Sequence, residues 1–112
     1  GIIMSRAKGN IAEDKACKFL YEKGFSVVER NFYSRFGEID IIATKTQVLH
    51  FIEVKSGLDY ETAILNITPK KLQKFIKTVY VYLKKNGLNC DFVIDAVIVT
   101  PKEIQLVENI TL

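Results

Sequence analysis

The sequence predicts an α/β domain: a mixed sheet with a helix packed on each side. Two segments place apolar residues at three- and four-residue steps, and five short runs are rich in β-branched and aromatic residues. Between residues 48 and 100 the order is strand, helix, strand, a crossover that lets its two strands run parallel. A length of 112 residues suits one hydrophobic core. Residues 4–112 are therefore expected to form a single domain, with Gly1 to Ile3, which precede Met4, set aside as a remnant.

The first periodic segment runs from about Asn10 to Lys23, with Ala12, Ala16, Phe19 and Leu20 as its stripe and Gly24 as its stop. Phe25 to Asn31 suits a strand, and Ser34-Arg35-Phe36-Gly37 supplies a turn. Glu38 to Thr44 and Val48 to Lys55 are separated only by Lys45-Thr46-Gln47, which predicts a hairpin. Ser56 to Ile67 has no clear period and reads as a flexible loop. The second helix opens with Thr68 as cap and Pro69 at the first helical position, and closes at Asn86-Gly87. Leu72, Phe75, Ile76, Val79, Tyr80 and Leu83 make its apolar face. Phe92 to Thr100 is an almost unbroken apolar run, as expected of a strand covered on both faces, and Pro101-Lys102-Glu103 turns into a last strand, Ile104 to Val107.

Hydrophobic residues make up 48% of the chain and charged residues 26%, which excludes a disordered protein, and no apolar run is long enough for a membrane-spanning helix. Cys17 and Cys90 lack CxxC spacing, so neither a disulfide framework nor a zinc site is expected. No secretory signal pattern opens the chain, and a cytoplasmic location follows by default. The net charge of +3 is unevenly spread. Lys70, Lys71, Lys74, Lys77, Lys84 and Lys85 fall within residues 68–87 without one acid, while the rest of the chain carries more acids than bases. Such a face is either simply solvated or a contact for a polyanion. If it is a contact, Lys70, Lys71 and Lys74, in the first turns, would meet phosphates and confer little base specificity.

The chemistry concentrates in the hairpin. Glu53 and Lys55 share one strand face with Phe51, and His50 points the other way, where a structural role is expected. Asp40 joins Glu53 if the opposed residue numbers of the hairpin sum to an odd value; an even sum separates them. An acid two residues before a lysine also occurs at Glu13–Lys15, so the tripeptide alone carries no weight. Its setting carries more, since ionisable groups planted in apolar strands must be solvated, mutually neutralised or bound to a cation. Two carboxylates without a neighbouring His or Cys favour Mg²⁺ or Mn²⁺, and hence phosphate chemistry, with Lys55 placed to orient water or stabilise an anion. Glu13 has two readings: a capping box with Asn10, or an acid on the sheet-facing side of helix one.

These residues occur in a recognisable order. Gly9-x-x-Ala12-Glu13, Arg30-Asn31, Gly37-Glu38-Ile39-Asp40, Phe51-x-Glu53-Val54-Lys55, Lys71 and a late Asp95 resemble the YraN family of small bacterial proteins over residues 9 to about 107. That family is similar to archaeal Holliday junction resolvases within the PD-(D/E)XK superfamily. The resemblance implies a restriction-endonuclease-like αβββαβ core and an endonuclease acting on DNA, possibly branched DNA. It makes Asp40 and Glu53 the metal carboxylates, Lys55 the catalytic lysine, Glu13 an additional catalytic acid and Lys71 a DNA contact. Ile39 stands where the superfamily has Pro, and Gly57, Tyr33 and Val93 stand where the family has Arg; Arg35 is the substitute grip on nucleic acid. Symmetrical cutting of two strands would need two sites, which a homodimer would supply. A binding module that keeps the fold without turnover is the alternative.

Overall fold

The computed structural model describes residues 2–111, with side chains from residue 11 onward. In chain order the elements are α1 (Ile2–Glu22), β1 (Ser26–Ser34), β2 (Gly37–Lys45), β3 (Val48–Ser56), α2 (Tyr60–Leu65), α3 (Pro69–Lys85), β4 (Phe92–Val99) and β5 (Ile104–Val107). The strands lie in the sheet in the same order. Neighbours are antiparallel except β3 and β4, which the crossover through α2 and α3 makes parallel. This is the expected mixed sheet with helices on both faces.

Alternation along the central strands divides the core in two. Ile41, Ala43, Ile52, Val97 and Val99 turn towards α1, where Ala16 and Leu20 meet them together with Phe25. Ile42, Phe51 and Ile94 turn the other way, against Phe75, Val79, Tyr82 and Leu83 of α3. Burial of each such side chain contributes about 1.5–3 kcal/mol, which holds both helices to the sheet. Thr68 caps α3 by accepting the Lys71 backbone N–H at 3.2 Å, Pro69 occupies its first turn, and Gly87 (φ 60°) follows its end, as the sequence predicts.

Three expectations need correction, and β1 adds an irregularity of its own. α1 begins at Ile2, not Asn10, and continues through Gly9; of the residues set aside before Met4, Ile2 and Ile3 are helical and Gly1 lies outside the described residues. The segment expected to be a loop contains α2, capped by Asp59, whose Oδ1 accepts the Thr62 N–H at 2.7 Å. Only Ala63 of that helix is fully buried, so it has no apolar stripe to announce it. On α3 the buried stripe is rotated from the expected one: Tyr82 packs edge-on against Phe32 and Phe51, while Tyr80 is 58% exposed. Finally, β1 does not keep one alternation. Arg30 reaches α1 whereas Phe32, two residues on, packs against Tyr82; Asn31 between them has φ 55°, which turns the strand over.

Candidate active site

β2 and β3 pair from Lys45 opposite Val48 to Ile41 opposite Ile52, the odd-sum register that sets Asp40 against Glu53. At that end the ladder gives way to a side chain. Asp40 Oδ2 accepts the Val54 backbone N–H at 2.7 Å, so the carboxylate closes the fork between the two strands. Burial pushes the Asp40 carboxyl up to about 7, opposed by the Val54 N–H and reinforced by the charges of Glu13, Glu38 and Glu53. Acids from α1, β2 and β3 are thus close enough to act on Asp40.

Glu53 and Lys55 project together as expected, with Lys55 Nζ 3.1 Å from Glu53 Oε1. The second oxygen, Glu53 Oε2, is buried and has no hydrogen-bond partner. A buried carboxylate oxygen without a donor is costly and calls for a proton or a cation. Glu13 does not cap α1, because Asn10 lies inside the helix. Its Oε1 instead meets Arg30 Nη2 at 3.5 Å, and Arg30 Nη1 holds Asp14 Oδ1 at 2.9 Å. Arg30 thereby fastens the acid-bearing face of α1 to β1. Sequence reasoning noted the Arg30-Asn31 pair without giving it a role; an arginine inside a predicted strand, followed by a residue that tolerates positive φ, was the available signal.

The lysines of α3 divide. Lys71 and Lys74 line a cavity of about 180 Å³ with Phe36, Gly37, Glu38, Glu53 and Phe75. Lys70 is exposed and does not line it. Arg35, exposed in the β1–β2 turn, sets its guanidinium carbon 4.8 Å from the centre of the Phe36 ring. Gly57 lies where a Cβ would come within 3.3 Å of the Ala63 Cβ, so α2 packs closely over the end of β3. A separate cavity of about 420 Å³ is lined by Ile11, Lys15, Leu58, Pro101 and their neighbours and includes none of Glu13, Glu38, Asp40 and Glu53.

His50 has the structural role expected of it. Its Nδ1 lies 2.6 Å from Asp95 Oδ2, and Asp95, only 1% exposed, uses Oδ1 to accept the Asn109 N–H at 2.8 Å. Cys17 and Cys90 are free, as expected. Among the described residues no three His, Cys, Asp or Glu side chains are grouped to hold a metal, and no helix is long and apolar enough to cross a membrane. A cation would accordingly depend on Asp40 and Glu53, with water or substrate completing its shell. That division suits Mg²⁺, which is commonly held by one or two carboxylates.

The family model described as Uncharacterised protein family UPF0102 matches residues 12–99, a span that includes Glu13, Asp40, Glu53, Lys55 and Lys71. This chain belongs to the UPF0102 family. A UPF0102 protein of Sulfurimonas denitrificans is 65% identical over 109 residues, covering 97% of this chain and 100% of the relative. One from Aliarcobacter butzleri is 54% identical with the same coverage of both chains. A third, from Helicobacter pylori, is 58% identical and covers 95% of this chain and 92% of its own. UPF0102 is the YraN-like group to which the motif order pointed.

Proposed function

We propose that this UPF0102 protein is a DNA-binding, metal-dependent endonuclease of the PD-(D/E)XK type, with Asp40 and Glu53 as its metal carboxylates. The carrying observation is the fork itself: a crowded Asp40 carboxyl raised to about 7 beside a Glu53 oxygen that is buried without a donor. Asp40 has no cationic partner among the described residues, and Glu53 Oε2 has none although Lys55 already meets Oε1. A bound Mg²⁺ or Mn²⁺ would lower the pKa of an attacking water and offset charge developing at phosphorus. Asp40, held by Val54 N–H, would present its free oxygen to the ion in a fixed direction. Lys55 would leave Glu53 to stabilise the anionic transition state, and Lys71 and Lys74 would hold the phosphates on the far wall of the cavity. Glu13 would take part through a water, oriented by Arg30.

The test is incubation of purified protein with branched and linear DNA in Mg²⁺ or Mn²⁺, beside Asp40→Asn and Glu53→Gln. Cleavage by the wild type and its loss in both variants supports the reading; cleavage that survives both substitutions identifies a contaminant and overturns it. A second reading, a nucleic-acid- or partner-binding module without turnover, draws on the Lys55–Glu53 ion pair, which occupies one of the few ligand oxygens. DNA binding with no divalent-dependent cleavage would favour it. If two strands are cut together in a symmetrical way, a homodimer would supply the two active sites, and sedimentation with DNA should then reveal it.

A further inference from the structure

The β1–β2 turn and α3 are tied together beside the acids. Ser34 Oγ and Thr78 Oγ1 lie 2.8 Å apart, Thr78 is fully buried, and Ser34 Oγ also accepts the Phe36 N–H at 3.1 Å. Gly37 (φ 149°) completes the turn in a conformation that favours glycine. Phe36 is therefore held at a set distance from the helix, and two cations rest on its ring, Arg35 at 4.8 Å and Lys77 Nζ at 5.4 Å from the centre. Both are exposed, and among the described residues neither forms an ion pair with a carboxylate. A cation within about 6 Å of a ring is positioned without being neutralised. Its charge stays available to an anion.

We infer that Arg35, Phe36 and Lys77 form a second nucleic-acid contact, which takes a single strand as it leaves the acid fork and leads it over the β1–β2 turn. The inference rests on the nuclease reading of the fork and adds the path and form of the strand. Phe36 joins the two places, since its ring also lines the cavity with Lys71, Lys74, Glu38 and Glu53. In the cavity those two carboxylates repel a phosphate unless a cation is bound. At the turn no carboxylate pairs with Arg35 or Lys77, so this contact is independent of divalent ions. An unpaired strand suits this array, because its phosphates meet Arg35 and Lys77 and draw them off the ring, which leaves Phe36 open to a base. Lys84 and Lys85, near the other end of α3, lie off this path.

Fluorescence anisotropy of a labelled oligothymidine in EDTA, over a range of salt, tests the assignment. The double variant Arg35→Ala/Lys77→Ala should bind roughly tenfold more weakly and lose about 1.4 from its log–log salt slope, as expected for two single-strand phosphate contacts. Lys84→Ala/Lys85→Ala should stay within about twofold of wild type, since counterion release counts contacts and not net charge. Phe36→Leu should lose affinity with an unchanged melting temperature, and Phe36→Tyr should restore it. Unchanged binding by Arg35→Ala/Lys77→Ala, or an equal loss in the Lys84/Lys85 pair, overturns the inference. A loss confined to duplex DNA overturns its single-strand form. Protein that still cleaves DNA in Mg²⁺ while ignoring these substitutions refutes this contact alone; protein that binds neither strand form refutes the fork reading as well.

Discussion

Asp40 shows how a local bond and a crowded field oppose each other in one side chain. Its ordinary value of 3.8 applies in the unfolded chain, and in the fold it rises to about 7, so the native state holds the extra proton between those values. Linkage then makes the contribution of Asp40 to stability greatest below about pH 4 and lowers it as pH rises towards 7, by at most about 4 kcal/mol. Denaturant melts of wild type and Asp40→Asn should diverge in this range, the variant lacking the slope and gaining relative stability at pH 8. A divalent ion acts in the opposite sense, because it favours the ionised carboxylate. At pH 8, saturating Mg²⁺ should raise the wild-type melting temperature by several degrees and leave Asp40→Asn and Glu53→Gln nearly unmoved. Equal shifts in all three proteins would place the ion elsewhere.

Among the secondary structures, α3 was the most legible, because Thr68-Pro69 and Asn86-Gly87 are local signals with local physical causes. Thr68→Ala should cost about 1 kcal/mol by calorimetry, with no change in the fold. The phase of its buried face was less legible: six apolar side chains can be ordered around the cylinder in more than one way, and only Phe32 and Phe51 select Tyr82 over Tyr80. α2 escaped for a related reason. Leu58 before it and Leu65 at its end are 87% and 76% exposed, so apolar residues there do not mark a face. α1 was cut short because Asn10 with Glu13 fits a capping box and so reads as the helix start, although Gly9 before it costs only about 1 kcal/mol inside a helix.

The molecule as an assembly depends on a few long-range ties. The last segment docks through Asp95, whose two oxygens join His50 and the Asn109 N–H, and through Ile110 N–H to Ile94 O at 2.8 Å. Asp95→Ala leaves those donors unmet and should destabilise the fold by about 2–4 kcal/mol, with faster hydrogen exchange at Asn109 and Ile110. Charge acts over the same distance. Neutralising Lys70, Lys71 and Lys74 together should reduce the salt dependence of duplex binding by about three in log–log slope. A reduction of only about two would leave Lys70, which does not line the cavity, outside the contact.

Period, caps and turn residues were enough to derive the mixed sheet, its parallel crossover and the shared face of Glu53 and Lys55, since each depends on neighbours within a few positions. The meeting of Glu13, Asp40 and Glu53, the reversal of β1 at Asn31 and the joining of Phe36 to α3 required the folded chain. Hairpin register admitted both parities from the loop length alone, and the sequence has no term for which distant charge a buried carboxylate will face. Packing of α1 and α3 on opposite sides of the sheet resolved both, because only the odd parity buries Ile41 with Ile52 on one face and Ile42 with Phe51 on the other.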